Sequence, residues 1–283
     1  MMNSVIVTTY PDCERSMKFY RLLLILLLLP LFTVTPSHAQ QETSIWRSGE
    51  TVYNHLFNAQ RLLFTINRAS DPDAIYQEAQ ALLNQSLATY QTELEPTAQL
   101  IAPSPNQAII TAFDDAQTAL DQRDHVAFAS ARGQIWANLL WLSHDVTQHA
   151  ILNNDLTLAG AWLPLREYRQ ATSVTLVDNP SSRSLRNVEQ DKMTTDEALI
   201  IVTNDLRDAY FFRLRDALNE LENAIQQNYS VRAGEWAGQV AGYFNILQAD
   251  YAEKQGEAQD RAESLAALVA QAADELEITL ELE

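Results

Sequence analysis

From Leu199 to Ile225 an apolar residue recurs every three or four positions: Leu199, Val202, Leu206, Tyr210, Leu214, Leu218, Leu221 and Ile225. That spacing places them on one stripe of an α-helix, whereas a strand would need alternation. A helix this long, with a stripe this continuous, has to bury it against other helices. Thr194 followed by Glu197 three residues later reads as a capping box at its start.

The same pattern extends in both directions. A first helix is expected from about Thr43 to Ala69, with Val52, Leu56, Leu63 and Ile66 on one stripe. Ser70-Asp71-Pro72 stops it and starts a second, because Asp71 can cap and Pro72 suits the first helical position. Glu95-Pro96 breaks the second helix near Leu94, and Ser104-Pro105 starts a third carrying Ile109, Phe113 and Leu120. A fourth, about Asp124 to Leu152, has so wide an apolar face (Ile135, Trp136, Leu139, Leu140, Leu142, Val146) that a central place is expected. Asn153-Asn154-Asp155 ends it and caps a fifth. Asp178-Asn179-Pro180-Ser181-Ser182 reads as the clearest loop. After the long sixth helix, Ser230 caps a seventh with Val231, Trp236, Val240, Tyr243, Phe244 and Leu247. A last helix follows from about Gly256, with Leu265, Leu268, Val269, Ala272 and Leu276, and ends in a solvated acidic tail.

Glycine numbers only 7 in 283 residues, and the one short alternating run is Ser173 to Val177. The fold class is therefore all-α: an antiparallel bundle of seven or eight helices, with a division into two sub-bundles open near residues 178–194. The aromatic set Trp136, Trp141, Trp162, Phe211, Phe212, Trp236, Tyr243 and Phe244 is read as core rather than as a ligand pocket.

The N-terminus is of another kind. Residues 17–39 combine Lys18 and Arg21, the apolar run Leu22 to Leu29, and Ser37-His38-Ala39, which is the pattern of a cleaved secretory signal peptide. The apolar run is shorter than the roughly 20 residues a membrane span needs. Residues 1–16 precede that pattern and read as a mis-assigned extension, so residues 40–283 form the exported helical domain, periplasmic or extracellular, without a membrane span once the signal is removed. The sole cysteine, Cys13, lies before the cut, so the exported chain has to rest on its core without disulfides.

The formal net charge is −18. Such a surface repels phosphate backbones and argues against nucleic-acid binding. The chain lacks a phosphate-cradling glycine loop, a G-x-S-x-G elbow and an H-E-x-x-H pair, and no enzyme activity is expected of it. Metal binding is the open chemical option. His144, Asp145 and His149 lie close on the fourth helix, with Asp145 and His149 four apart on one face. Imidazole and carboxylate ligands suit iron, manganese or zinc. The competing reading is polar surface at a helix end, where histidine also complements the dipole. Glu167, in the run Arg166-Glu167-Tyr168-Arg169, is a further candidate ligand, against the alternative that this run is an ion-pairing element between helices.

Three segments together resemble a known family. Trp162 to Arg169 is similar to a W-L-x-x-R-E-[FY]-R segment, Asp205 to Arg215 to D-L-x-D-x-Y-x-x-R-L-R, and Gly242 to Leu247 to G-Y-[FW]-x-I-L. These belong to the extracytoplasmic helical domain ahead of the membrane part in bacterial high-affinity iron permeases, and the resemblance covers about Gln134 to Ala273. The permease part of that family carries R-E-x-x-E, whereas Arg166-Glu167 is followed by Tyr168-Arg169-Gln170 and lacks the last glutamate. The resemblance implies an exported accessory domain connected with iron uptake, with iron as its metal and a membrane iron permease or another envelope protein as its partner. The rival expectation is a structural helical interaction module of the envelope that holds no metal.

Overall fold

A computed structural model describes residues 44–167, 179–254 and 267, without the side chains of residues 166–167, 249–250 and 252–254. The signal-peptide and start-site readings, the Ser173–Val177 run and nearly all of the last helix lie outside these residues. The described chain is helical throughout: α1 (Ile45–Leu63), α2 (Pro72–Glu93), α3 (Glu95–Ile101), α4 (Pro103–Gln122), α5 (His125–Leu152), α6 (Leu156–Trp162), α7 (Pro180–Glu189), α8 (Thr195–Gln226) and α9 (Ser230–Lys254). Two 3-10 turns, Ile66–Arg68 and Leu163–Glu167, complete it, and among the described residues there is no strand.

Local chemistry sets most boundaries. Asp71 accepts from the Ala74 N–H, Asp124 from those of Val126 and Ala127, and Asp155 from that of Leu158, so three carboxylates occupy donors that a helix start leaves open. Thr194 and Glu197 form the full capping box, each side chain meeting the other residue's backbone N–H. Four chain reversals after helices use Arg123, Asn154, Asp191 and Asn228 at φ between 54° and 60°. Three of the four are Asn or Asp, the side chains that best tolerate this left-handed region when glycine is not used.

Two expectations need correction. Asn179-Pro180-Ser181-Ser182 is not a loop: it is the start of α7, with Asn179 Oδ1 accepting from the Ser181 and Ser182 N–H groups and Pro180 in the first turn. Asn followed by Pro is a helix-start signal as much as a turn signal, and the burial of Leu185 decides between them. Phe211 and Phe212 are not core; they are 46% and 51% exposed. The other aromatics hold to the expected reading, with Trp136, Trp162, Tyr243 and Phe244 buried and Trp141 and Trp236 half-buried. At Glu95-Pro96 the break is slight, since the Ala98 N–H already returns to Leu94 O at 3.1 Å and opens α3.

Antiparallel hairpins α1–α2, α4–α5 and α8–α9 pack side by side, and α5 is the common member, lying against α9, α4, α6, α1 and α8. Its Ile135, Leu139, Leu140, Leu142 and Val146 are fully buried, each worth about 1.5–3 kcal/mol of transfer free energy. The α5–α9 seam is close-packed. Gly234, Gly238 and Gly242, spaced by four, present one face of α9 to Val126, Ser130 and Ala137 of α5, and Gly133 returns the favour against the Glu235 carbonyl. A Cβ at Gly234 would stand 2.7 Å from Val126 O, and one at Gly238 would overlap Ser130 O. The backbones can approach this closely only because those hydrogens replace side chains.

Candidate metal centre

α5 carries the residues with the most suitable ligand chemistry. His144 is half-buried, and both of its ring nitrogens are engaged. The Gln148 side-chain amide donates to Nε2 at 2.8 Å, so Nε2 is the acceptor and the ring proton lies on Nδ1. Nδ1–H then donates to Asp145 Oδ1 at 2.9 Å. The edge of the Tyr210 ring lies 6.0 Å away, centroid to centroid, and its hydroxyl donates to Leu140 O at 3.2 Å. A carboxylate that fixes the Nδ1–H tautomer is the usual arrangement behind a metal-bound histidine. Here the position a metal would take on Nε2 belongs to Gln148.

The remaining candidates are placed as follows. His149 is exposed, one turn beyond Asp145, and its carbonyl accepts from the Asn153 side chain at 2.8 Å. Glu167 closes the 3-10 turn Leu163–Glu167, and its side chain lies outside the described residues. That turn explains Pro164: α6 ends at Trp162, so the missing N–H falls where the helix tightens rather than in its interior. The Trp162 carbonyl accepts from the Ser143 hydroxyl of α5 at 2.8 Å. Among the described residues, no three His, Cys, Asp or Glu side chains converge as a ligand set. The structure thus brings His144 and Asp145 together and leaves His149 to solvent.

Burial lowers the pKa of His55, and it also lowers that of His125 against the opposing pull of Asp124. His125 Nε2 meets the Tyr76 hydroxyl at 2.8 Å.

The most buried charge among the described residues lies elsewhere. Arg132 of α5 is 3% exposed and forms an ion pair with Glu235 of α9. Its guanidinium lies over the rings of Tyr53 and Phe57, at 5.9 and 5.7 Å. Gln239 stands 3.4 Å from the Glu235 carboxylate and 3.4 Å from the Tyr243 hydroxyl, whose pKa burial raises. The partners are far apart in sequence, and the local signal that marks a close seam there is the four-residue spacing of Gly234, Gly238 and Gly242.

Comparison with known proteins follows this geometry. No curated protein matches the chain, and no solved structure does. A family model described as "Iron permease FTR1 N-terminal domain" matches residues 41–282. The match takes in α1 to α4 as well as the C-terminal half to which the sequence resemblance was confined, and no described helix is long and apolar enough to cross a membrane. With all but the first 40 residues and the last one matched, the chain belongs to the iron permease FTR1 N-terminal domain family.

Proposed function

We propose that this chain is an exported accessory domain of iron uptake, which docks beside a membrane iron permease and holds iron weakly at the His144–Asp145 face of α5. The family match over residues 41–282 carries the reading. It begins just past the cleavage expected after Ala39, in keeping with removal of a signal peptide and a periplasmic or extracellular place. At the site itself the Nδ1–H tautomer supports it, since rotation of the Gln148 amide would free a neutral Nε2 for a metal beside a carboxylate. Iron here is cargo, and no catalysis is assigned to the chain.

Titration of residues 40–283 with ferrous and ferric iron tests the metal half. Binding should fall with His144→Ala and with Asp145→Asn while the helix content stays unchanged. Co-purification with the membrane permease tests the docking half. A chain that holds neither iron nor permease sinks the proposal.

One observation favours the rival reading of a metal-free structural module: both ring nitrogens of His144 are already in hydrogen bonds. Asp145→Asn separates the two readings. Lower stability with no metal affinity to lose supports the module; lost affinity in an intact fold supports the site.

A further inference from the structure

Five exposed side chains of α8 share one stripe: Phe211, Arg215, Leu218, Glu222 and Ile225. They are spaced by four, three, four and three, so at 100° per residue they fall within an arc of about 80°. Phe211, Leu218 and Ile225 are 46%, 40% and 44% exposed. The buried side of the same helix, with Tyr210, Leu214 and Ala217, belongs to the core, so the stripe is a separate surface. Its two charges make only contacts within the helix. Arg215 lies over the Phe212 ring at 4.9 Å and stands 3.8 Å from Asp216, and Glu222 accepts from the Gln226 side chain at 3.1 Å. Exposed contacts of this kind are worth little and leave both charges open to a partner.

We propose that this stripe is a self-association surface, on which a second copy of the chain lays its own α8 antiparallel, across a two-fold axis at Leu218. The order of the side chains selects that occupant. The stripe reads apolar, Arg, apolar, Glu, apolar. Turned end for end about Leu218, it is its own complement: Leu218 meets Leu218, Phe211 meets Ile225, and Arg215 meets Glu222 twice. Arg215 lies three residues before the centre and Glu222 four after it, so the opposed charges fall within about 1.5 Å of one level along the axis. They also lie on the same side of the stripe, about 20° apart, where a two-fold axis brings them together. A two-fold contact uses one patch on both copies, and a self-complementary stripe is the pattern it requires. A parallel pairing would set Arg215 against Arg215 and Glu222 against Glu222, so the charges reject it. Five side chains a side fall short of the about 20–30 of a standard interface. Each copy also carries a net charge of −18 that opposes the approach. The dimer is therefore weak, formed at about 0.1–1 mM protein.

The test uses the chain from residue 40 to 283, which contains no cysteine. Sedimentation of the unaltered protein at about 1 mM should show dimer. Arg215→Glu sets acid against acid at both ends of the contact and should weaken the dimer about tenfold. Exchanging the charges, Arg215→Glu with Glu222→Arg, should restore it. Leu218→Cys puts the one thiol of the chain on the axis, whereas Ile200→Cys puts it on an exposed part of the same helix that has no counterpart in the pairing. Under mild oxidation the Leu218→Cys protein should form a disulfide-linked dimer about tenfold faster than the Ile200→Cys protein. A monomer at that concentration, or a dimer indifferent to Arg215→Glu, overturns the inference. So does a charge exchange that dimerises no better than the single variant, or equal disulfide rates at the two positions.

Discussion

Arg132 of α5 and Glu235 of α9 meet at 2.5 Å, with only 4% and 18% of their side chains exposed. The pair joins the two helices of the glycine-lined seam, yet it carries a desolvation cost on both charges. Its contribution is therefore asymmetric. Glu235→Ala strands a guanidinium whose Nε already lacks a partner, and should cost about 3–5 kcal/mol in urea unfolding. Replacing both, as Arg132→Met with Glu235→Leu, should recover most of that loss. Equal losses in the single and double variants would show that the pair is not coupled.

The glycines of the chain should divide sharply on substitution. Gly238→Ala forces a methyl group against the Ser130 carbonyl, a backbone atom that cannot rotate away, and should destabilise by about 1–3 kcal/mol or more. Gly160 lies in α6 with no atom within 4 Å of an added Cβ. Gly160→Ala should therefore stabilise by about 0.5–1 kcal/mol, through helix propensity alone. Thermal unfolding of the two variants side by side checks the contrast.

Acid should weaken the fold well above the carboxylate range. His55 and His125 have folded-state pKa values below the ordinary 6.5, in both cases chiefly because burial disfavours the charged ring. An unfolded chain then binds protons that the folded one refuses. The stability these residues contribute is complete above pH 6.5 and is lost as pH falls through their depressed folded values. Urea midpoints should drop as pH falls below 6.5, and His125→Gln should flatten that slope. A slope unchanged in His125→Gln would remove His125 from the effect.

The start of α8 has its own titration. Hydrogen bonds from the Thr194 backbone, then from its hydroxyl, lower the pKa of Glu197 below 4.5. The cap is intact above that value and is lost as pH falls through the lowered one. Thr194→Val removes the hydroxyl and should move the Glu197 titration, followed by NMR, back toward 4.5.

Much of the fold could be read residue by residue. Asp71, Asp124, Asp155 and Thr194 each announce a helix start, because a cap is a contact between near neighbours in sequence. Asn179 announced one as well, but Asn-Pro-Ser-Ser also describes a turn, and only the burial of Leu185 beyond it separates the two. Phe211 and Phe212 show the opposite limit: a helical period marks which residues share a face and says nothing of which face is covered. At the candidate site, helical spacing pairs Asp145 with His149, whereas the contact that forms is between the chain neighbours His144 and Asp145, and His149 is exposed. The grip of Gln148 on the other ring nitrogen depends on rotamers, and the Arg132–Glu235 pair depends on which helices become neighbours; neither is encoded locally.

The glycine-lined seam between α5 and α9 also sets an order of events. α5 is synthesised long before α9, and until α9 arrives the face formed by Val126, Ser130, Gly133 and Ala137 has no backbone to close on. The first four helices can pair locally, but the spine of the domain is a contact between distant parts of the chain, the kind that forms slowly. The N-terminal half therefore waits for its central partner, and a chain cut before Ser230 lacks the helix that closes on α5.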